Sequence, residues 1–184
     1  NNNFFSSSKT IMQNFILNIH SADDDLLLSD ESLQCYAVNA EMDYSCLKNI
    51  CGQLLKNGKI VLLAGDKAPQ LRKELNADGI IADLSASNSI KKDIAEIRKL
   101  CGQCILGIIS RNRRHEAMIV SENEPDFIIF KIWKDGKEQT LSLAEWYNDF
   151  FLLQMAVMPQ DENSSFEKYP ADIVILSPQD YKIF

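Results

Sequence analysis

The sequence predicts an α/β fold in which eight parallel strands close into a (β/α)8 barrel, and three observations carry the prediction. From residue 14 onward, short apolar runs rich in Val, Ile and Leu alternate with stretches of helical periodicity. Eight such runs are present, the number a closed barrel requires. Some, such as "IVLLAGD" at 60–66, are almost wholly apolar, as strands buried on both faces are. An open doubly wound sheet explains the alternation equally well but more often has about five or six strands.

The elements follow in order. "FILNI" (15–19) and "LQCYAV" (33–38) are the first two strands. A helix over "YSCLKNICGQLLKNGK" places Leu47, Ile50 and Leu54 at helical spacing, with Gly58 as its C-cap. "IVLLAGD" is the third strand, "DKAPQLRKELNADG" a short helix with Pro69 in its first turn, and "IIADL" (80–84) the fourth strand. In "SNSIKKDIAEIRKLCG", Ile90, Ile94, Ile97 and Cys101 share one helical face opposite lysines and acids. "CILGII" (104–109) is the fifth strand, "RNRRHEAMIVSENE" a helix that stops before Pro125, and "DFIIFKIW" (126–133) the sixth strand. Ser142 and Glu145 have the spacing of a capping box, so the next helix is expected to start there. "LLQMAVM" (152–158) and "DIVIL" (172–176) are the last strands, with "SFEKY" between them at most a short helix. Residues 1–13 are polar and low in complexity and are expected to be a disordered tail, which leaves 14–184 as one barrel domain. At 184 residues the chain is short against the ~250 typical of a TIM barrel, so its loops must be minimal.

Hydrophobic residues make up 46% and charged residues 24%, an ordinary globular composition. A net charge of -7 argues against nucleic acid and anionic membrane as partners, and no apolar run approaches the ~20 residues of a membrane span. Five cysteines, an odd number, fit a reducing cytoplasm better than a disulfide framework. Cys101-Gly102-Gln103-Cys104 has the spacing of a redox pair, but it closes a helix and opens a strand. The carbonyl end of the helix dipole then faces the thiols, and the expected role is packing and capping. No second cysteine pair or histidine cluster suggests zinc.

In a barrel, chemistry gathers where the strands end. Those ends supply Asn18, His20 and Asp23, then Asn39, Glu41 and Asp43, then Asp66, Asp83 and Ser85. The later ends supply Ser110, Arg111, Asn112, Lys131, Lys134, Lys137, Gln160 and Ser177. Early carboxylates and later cations could hold a magnesium-bridged phosphate. The plainer expectations are loop polarity, with Asp66 capping the helix near Pro69. "SRNRR" as a first helical turn sits awkwardly with the dipole.

The stretch from "LLAGDKAPQLRKELNADGIIADL" to "IRKLCGQCILGIISRNRRHEAMIVSENEPDFIIFKIW" resembles thiamine-phosphate synthase and its relatives, in a divergent, shortened branch. Ala77-Asp78-Gly79 and Glu124-Pro125-Asp126-Phe127 are the most specific pieces, and the match runs from about Leu33 to Ser177. The resemblance implies a TIM barrel that couples a pyrimidine pyrophosphate to a thiazole phosphate with magnesium, releasing pyrophosphate. The family's Asn-Asp becomes Gly65-Asp66, its second metal carboxylate falls at Ala86, and its phosphate-binding Gly-Gly is replaced by Met158-Pro159. One expectation is therefore an enzyme in which Asp66 and Asp83 hold Mg2+ while Arg111, Arg113, Lys131 and Ser177 contact phosphate. The other is a non-catalytic descendant that binds a ligand or a protein. Expected partners are a small phosphorylated heterocycle and, in a homodimer, a second copy of the chain.

Overall fold

The computed structural model describes residues 14–22, 27–161 and 165–182; the expected tail at 1–13 and the candidate Asp23 lie outside them. Eight parallel strands close in chain order, with β1 pairing β2 on one side and β8 on the other. They are β1 (Asn14–Ile19), β2 (Cys35–Asn39), β3 (Ile60–Ala64), β4 (Gly79–Asp83), β5 (Ile105–Ile109), β6 (Phe127–Ile132), β7 (Gln154–Pro159) and β8 (Ile173–Leu176). The helices are α1 (Tyr44–Lys56), α2 (Ala68–Leu71), α3 (Ile90–Cys101), α4 (Arg114–Glu122), α5 (Lys137–Phe150) and α6 (Pro178–Lys182). This is a (β/α)8 TIM barrel, with α2 reduced to four residues and no helix between β7 and β8 among the described residues.

Local signals explain most boundaries. The Asp43 carboxylate accepts the Cys46 N–H and starts α1, and Gly58 at φ +70° follows its end. The start of α5 corrects the sequence expectation. Ser142 and Glu145 lie inside the helix on its solvent side, because α5 begins five residues earlier, after Gly136 at φ +102°. The buried series Thr140, Leu143, Ala144 and Tyr147 carries the helical period upstream of the apparent box, and Thr140 Oγ1 donates to the Gly136 carbonyl.

Alternation along each strand separates two cores. Ile16, Ala37, Leu62, Ile81, Ile109, Ile129, Ala156 and Ile175 fill the barrel, while the opposite faces pack on the helices. Phe127 fills the barrel interior from β6, and Gly107, its register partner on the neighbouring β5, leaves its ring room. A Cβ at Gly107 would stand 2.4 Å from the Phe127 ring. Gly79 is likewise obligatory, since a Cβ there would meet the Ile105 carbonyl at 2.2 Å.

At the amino end of the barrel an aspartate precedes each of β4, β6 and β8. Asp78 donates its N–H to the Val61 carbonyl and accepts the Val61 N–H on Oδ2 at 2.8 Å. Asp126 does the same with Leu106 at 2.7 Å, and Asp172 with Met155 at 3.1 Å. Each clamp ties a strand to its predecessor and uses an N–H that would otherwise be left in a nearly dry layer. Asp126→Ala should cost about 2 kcal/mol and lower Tm by about 4–8 °C, against about 0.5 kcal/mol or less for Asp66→Ala. Paired denaturant and thermal melts check this; equal effects would contradict the clamp.

Candidate functional site

The carboxyl ends of the strands surround a cleft of about 250 Å3. Its floor is apolar, from Ala37, Ala64, Ile81, Ile109, Met158 and Ile175. Its polar wall comes from Asn18, His20, Asn39, Gly65 and Asp83. Strand parity produces this division: the last interior position of several strands is polar, whereas the layer beneath is aliphatic.

Asp83 is held from two directions. Its Oδ1 accepts the Ser85 N–H at 3.0 Å and the Ser85 hydroxyl at 2.6 Å, while its Oδ2 accepts Lys131 Nζ at 3.2 Å. Partial burial works to raise the Asp83 pKa, but the two Ser85 hydrogen bonds and the Lys131 ammonium outweigh it and hold the carboxyl below its ordinary value. Lys131 is fixed from behind: Asn112 Nδ2 donates to its carbonyl at 2.8 Å and to Thr140 Oγ1 at 3.2 Å. Arg111 Nε donates to the Ser85 carbonyl at 3.0 Å, and its guanidinium lies 3.8 Å from Glu116. A single chain of contacts thus links α5, β6, β4 and the loop that opens α4. An ammonium has three N–H donors, so Lys131 can hold Asp83 and still present donors to a ligand.

The remaining expected residues do not join this group. Asp66 is exposed beside Gly65 and does not line the cleft or cap α2 through its side chain. Glu41 takes the capping position instead, with Oε1 accepting the Lys67 N–H at 3.0 Å and packing over Gly65, whose φ is +117°. Arg113 lines a separate groove of about 510 Å3 between α4 and α5. Ser177 accepts the Asp180 N–H at 3.1 Å and so starts α6. The donor set does not fit magnesium: both Asp83 oxygens are engaged, and among the described residues no three His, Cys, Asp or Glu side chains gather as a metal site. Cys101 and Cys104 are buried, and Cys101 Sγ donates to the Gly102 carbonyl at 3.8 Å; burial foremost pushes the Cys104 thiol up to about 12, in keeping with packing. The bridging role of Asn112 had no sequence signal, since its partners lie 19 and 28 residues away.

No family model and no curated protein matches the chain. Solved structures do match. A citrate synthase variant superposes with a TM-score of 0.69 at 11% identity, covering 93% of this chain and 88% of its own. Thiamine phosphate pyrophosphorylase from Pyrococcus furiosus gives 0.67 at 8% identity, over 90% and 85%. Phosphoribosylanthranilate isomerase from Thermotoga maritima gives 0.63 at 12% identity, over 94% and 90%. At such identities the likeness is one of fold.

Because its pKa is depressed on folding, Asp83 contributes stability that is present above the ordinary value of 3.8 and is lost as pH falls through its lower folded value. A carboxyl-detected NMR titration should find Asp83 still ionised where exposed aspartates are half protonated. Lys131→Met and Ser85→Ala should each move its midpoint upward, and an unmoved midpoint would remove the pair from the site.

Proposed function

We propose that this chain is a thiamine-phosphate-synthase-like barrel whose mouth holds one small phosphorylated heterocycle and does not couple two. The observation that carries the proposal is the Asp83–Lys131 pair, fixed at the edge of a cleft of about 250 Å3. That volume is below the ~300–1,000 Å3 of pockets that bury drug-sized ligands, so the mouth suits one ring. The aliphatic floor receives the ring face, Asn18, Asn39 and Asp83 meet its polar edge, and Lys131 and Arg111, bonded to Asp83 and to the Ser85 carbonyl, supply cations for phosphate.

The second reading is the full coupling reaction with magnesium and release of pyrophosphate. It is favoured by the sequence resemblance and by the fold likeness to thiamine phosphate pyrophosphorylase. It asks more of the rim than the residues provide. A pyrophosphate wants an amide cradle or a dense set of cations. Pro159 closes β7 where a glycine amide is needed, and it has no N–H to give. The five free cysteines support a cytoplasmic setting for either reading.

Calorimetric titration with thiazole phosphate and with the pyrimidine phosphate tests the proposal. One ligand per barrel is expected, with affinity reduced about 10-fold or more in Lys131→Ala and in Asp83→Ala. With pyrimidine pyrophosphate, thiazole phosphate and magnesium together, no thiamine phosphate should form. Product that appears, and is lost in Asp83→Ala, would establish the coupling enzyme instead.

A further inference from the structure

The outer face of α4 and α5, away from the mouth, is built against the interest of an isolated chain. Met118 is 40% exposed, Phe150 72% and Leu152 92%. They continue into Trp146, whose ring lies 6.0 Å from Phe150 and 5.1 Å below the Arg114 guanidinium. Met118 follows Arg114 by four residues, and Phe150 follows Trp146 by four, so each pair shares a helix face. Aromatic residues, Met and Arg are the types enriched at the centres of protein interfaces.

The charges at the two ends of this face are also inverted. Arg113 and Arg114 stand at the start of α4 and Lys137 at the start of α5, where the helix dipole favours anions; they outnumber the acids of the same first turns, Glu116, which pairs with Arg111, and Glu138. Glu122 is the last residue of α4 and Asp149 lies in the last turn of α5, where cations are favoured; neither helix has a basic residue in its last turn. The arrangement leaves a net positive end and a net negative end on one face, and the acids in the last turns are unfavourable to the single chain. It is self-complementary when two such faces meet head to tail.

We infer that the α4–α5 face pairs with a second copy of this chain about a two-fold axis. The arginines at one protomer's helix starts meet the acids at its partner's helix ends, and Trp146, Phe150, Leu152 and Met118 form the apolar centre. An isologous contact of this kind closes on itself and leaves the barrel mouths free.

Sedimentation velocity on the whole chain from about 1 to 200 µM tests the inference. The species expected has about twice the 20.9 kDa chain mass. Phe150→Glu should weaken association about 30-fold or more, with an unchanged thermal melt at concentrations where both proteins are monomeric, because the side chain is already exposed in the single chain. Arg114→Glu and Asp149→Arg should each associate weakly alone, and an equimolar mixture of the two should regain dimer, since one of its two charge contacts is native and the other is reversed. A monomer at every concentration, or a dimer indifferent to Phe150→Glu, overturns the inference. A mixture no better than its parts overturns the head-to-tail pairing.

Discussion

The paired hydrogen bonds that Asp78, Asp126 and Asp172 make with Val61, Leu106 and Met155 set the register on which the rest of this barrel depends. Each fixes an even-numbered strand against its predecessor, and alternation then does the rest. The first and third residues after each aspartate face inward, as does the fifth on β4 and β6. On β4 they are Gly79, Ile81 and Asp83; on β6, Phe127, Ile129 and Lys131; on β8 the first and third are Ile173 and Ile175. Asp83 and Lys131 are thus brought to one height by the same count from the same kind of clamp, and their side chains meet across the rim. A slip of one residue on either strand would turn a charge into the helix layer, where it would lack a partner.

Much of the fold was legible because parallel strands buried on both faces write themselves as apolar runs, and all eight stand where those runs predicted. Boundaries were less legible where the local signal had a rival. Ser142 and Glu145 satisfy a capping pattern, yet Gly136 at positive φ and the buried face through Thr140 set the true start of α5. The clamping role of Asp78, Asp126 and Asp172 had no signal of its own, since nothing local distinguishes an aspartate that reaches a neighbouring strand from one that faces water. For the site, strand ends pointed to Asp83, Ser85, Arg111, Asn112 and Lys131, which the structure links in one chain of contacts. They could not exclude Asp66, Arg113 or Ser177, because which way a loop residue turns depends on contacts such as Glu41 over Gly65 that no spacing reveals.

The chemistry available at the mouth follows from this assembly. Asp83 is anchored by Ser85 and Lys131, and among the described residues no cluster of metal-binding side chains gathers, so the site offers a locally neutral ion pair. In the proposed function the pair meets the polar edge of the ligand, and the aliphatic floor beside it meets the ring face. The outer α4–α5 face is separate from this chemistry, and Asn112 is the residue that lies between the two, bonded to the Lys131 carbonyl and to Thr140 of α5.

A mouth with room for one ring is what separates single-ligand binding from the coupling of two. Native mass spectrometry of the protein with thiazole phosphate and the pyrimidine phosphate present together measures this directly. The account predicts complexes with either ligand, one per barrel, each displacing the other as its concentration rises. A ternary complex with both ligands in one barrel would contradict it and return the barrel to the coupling reaction.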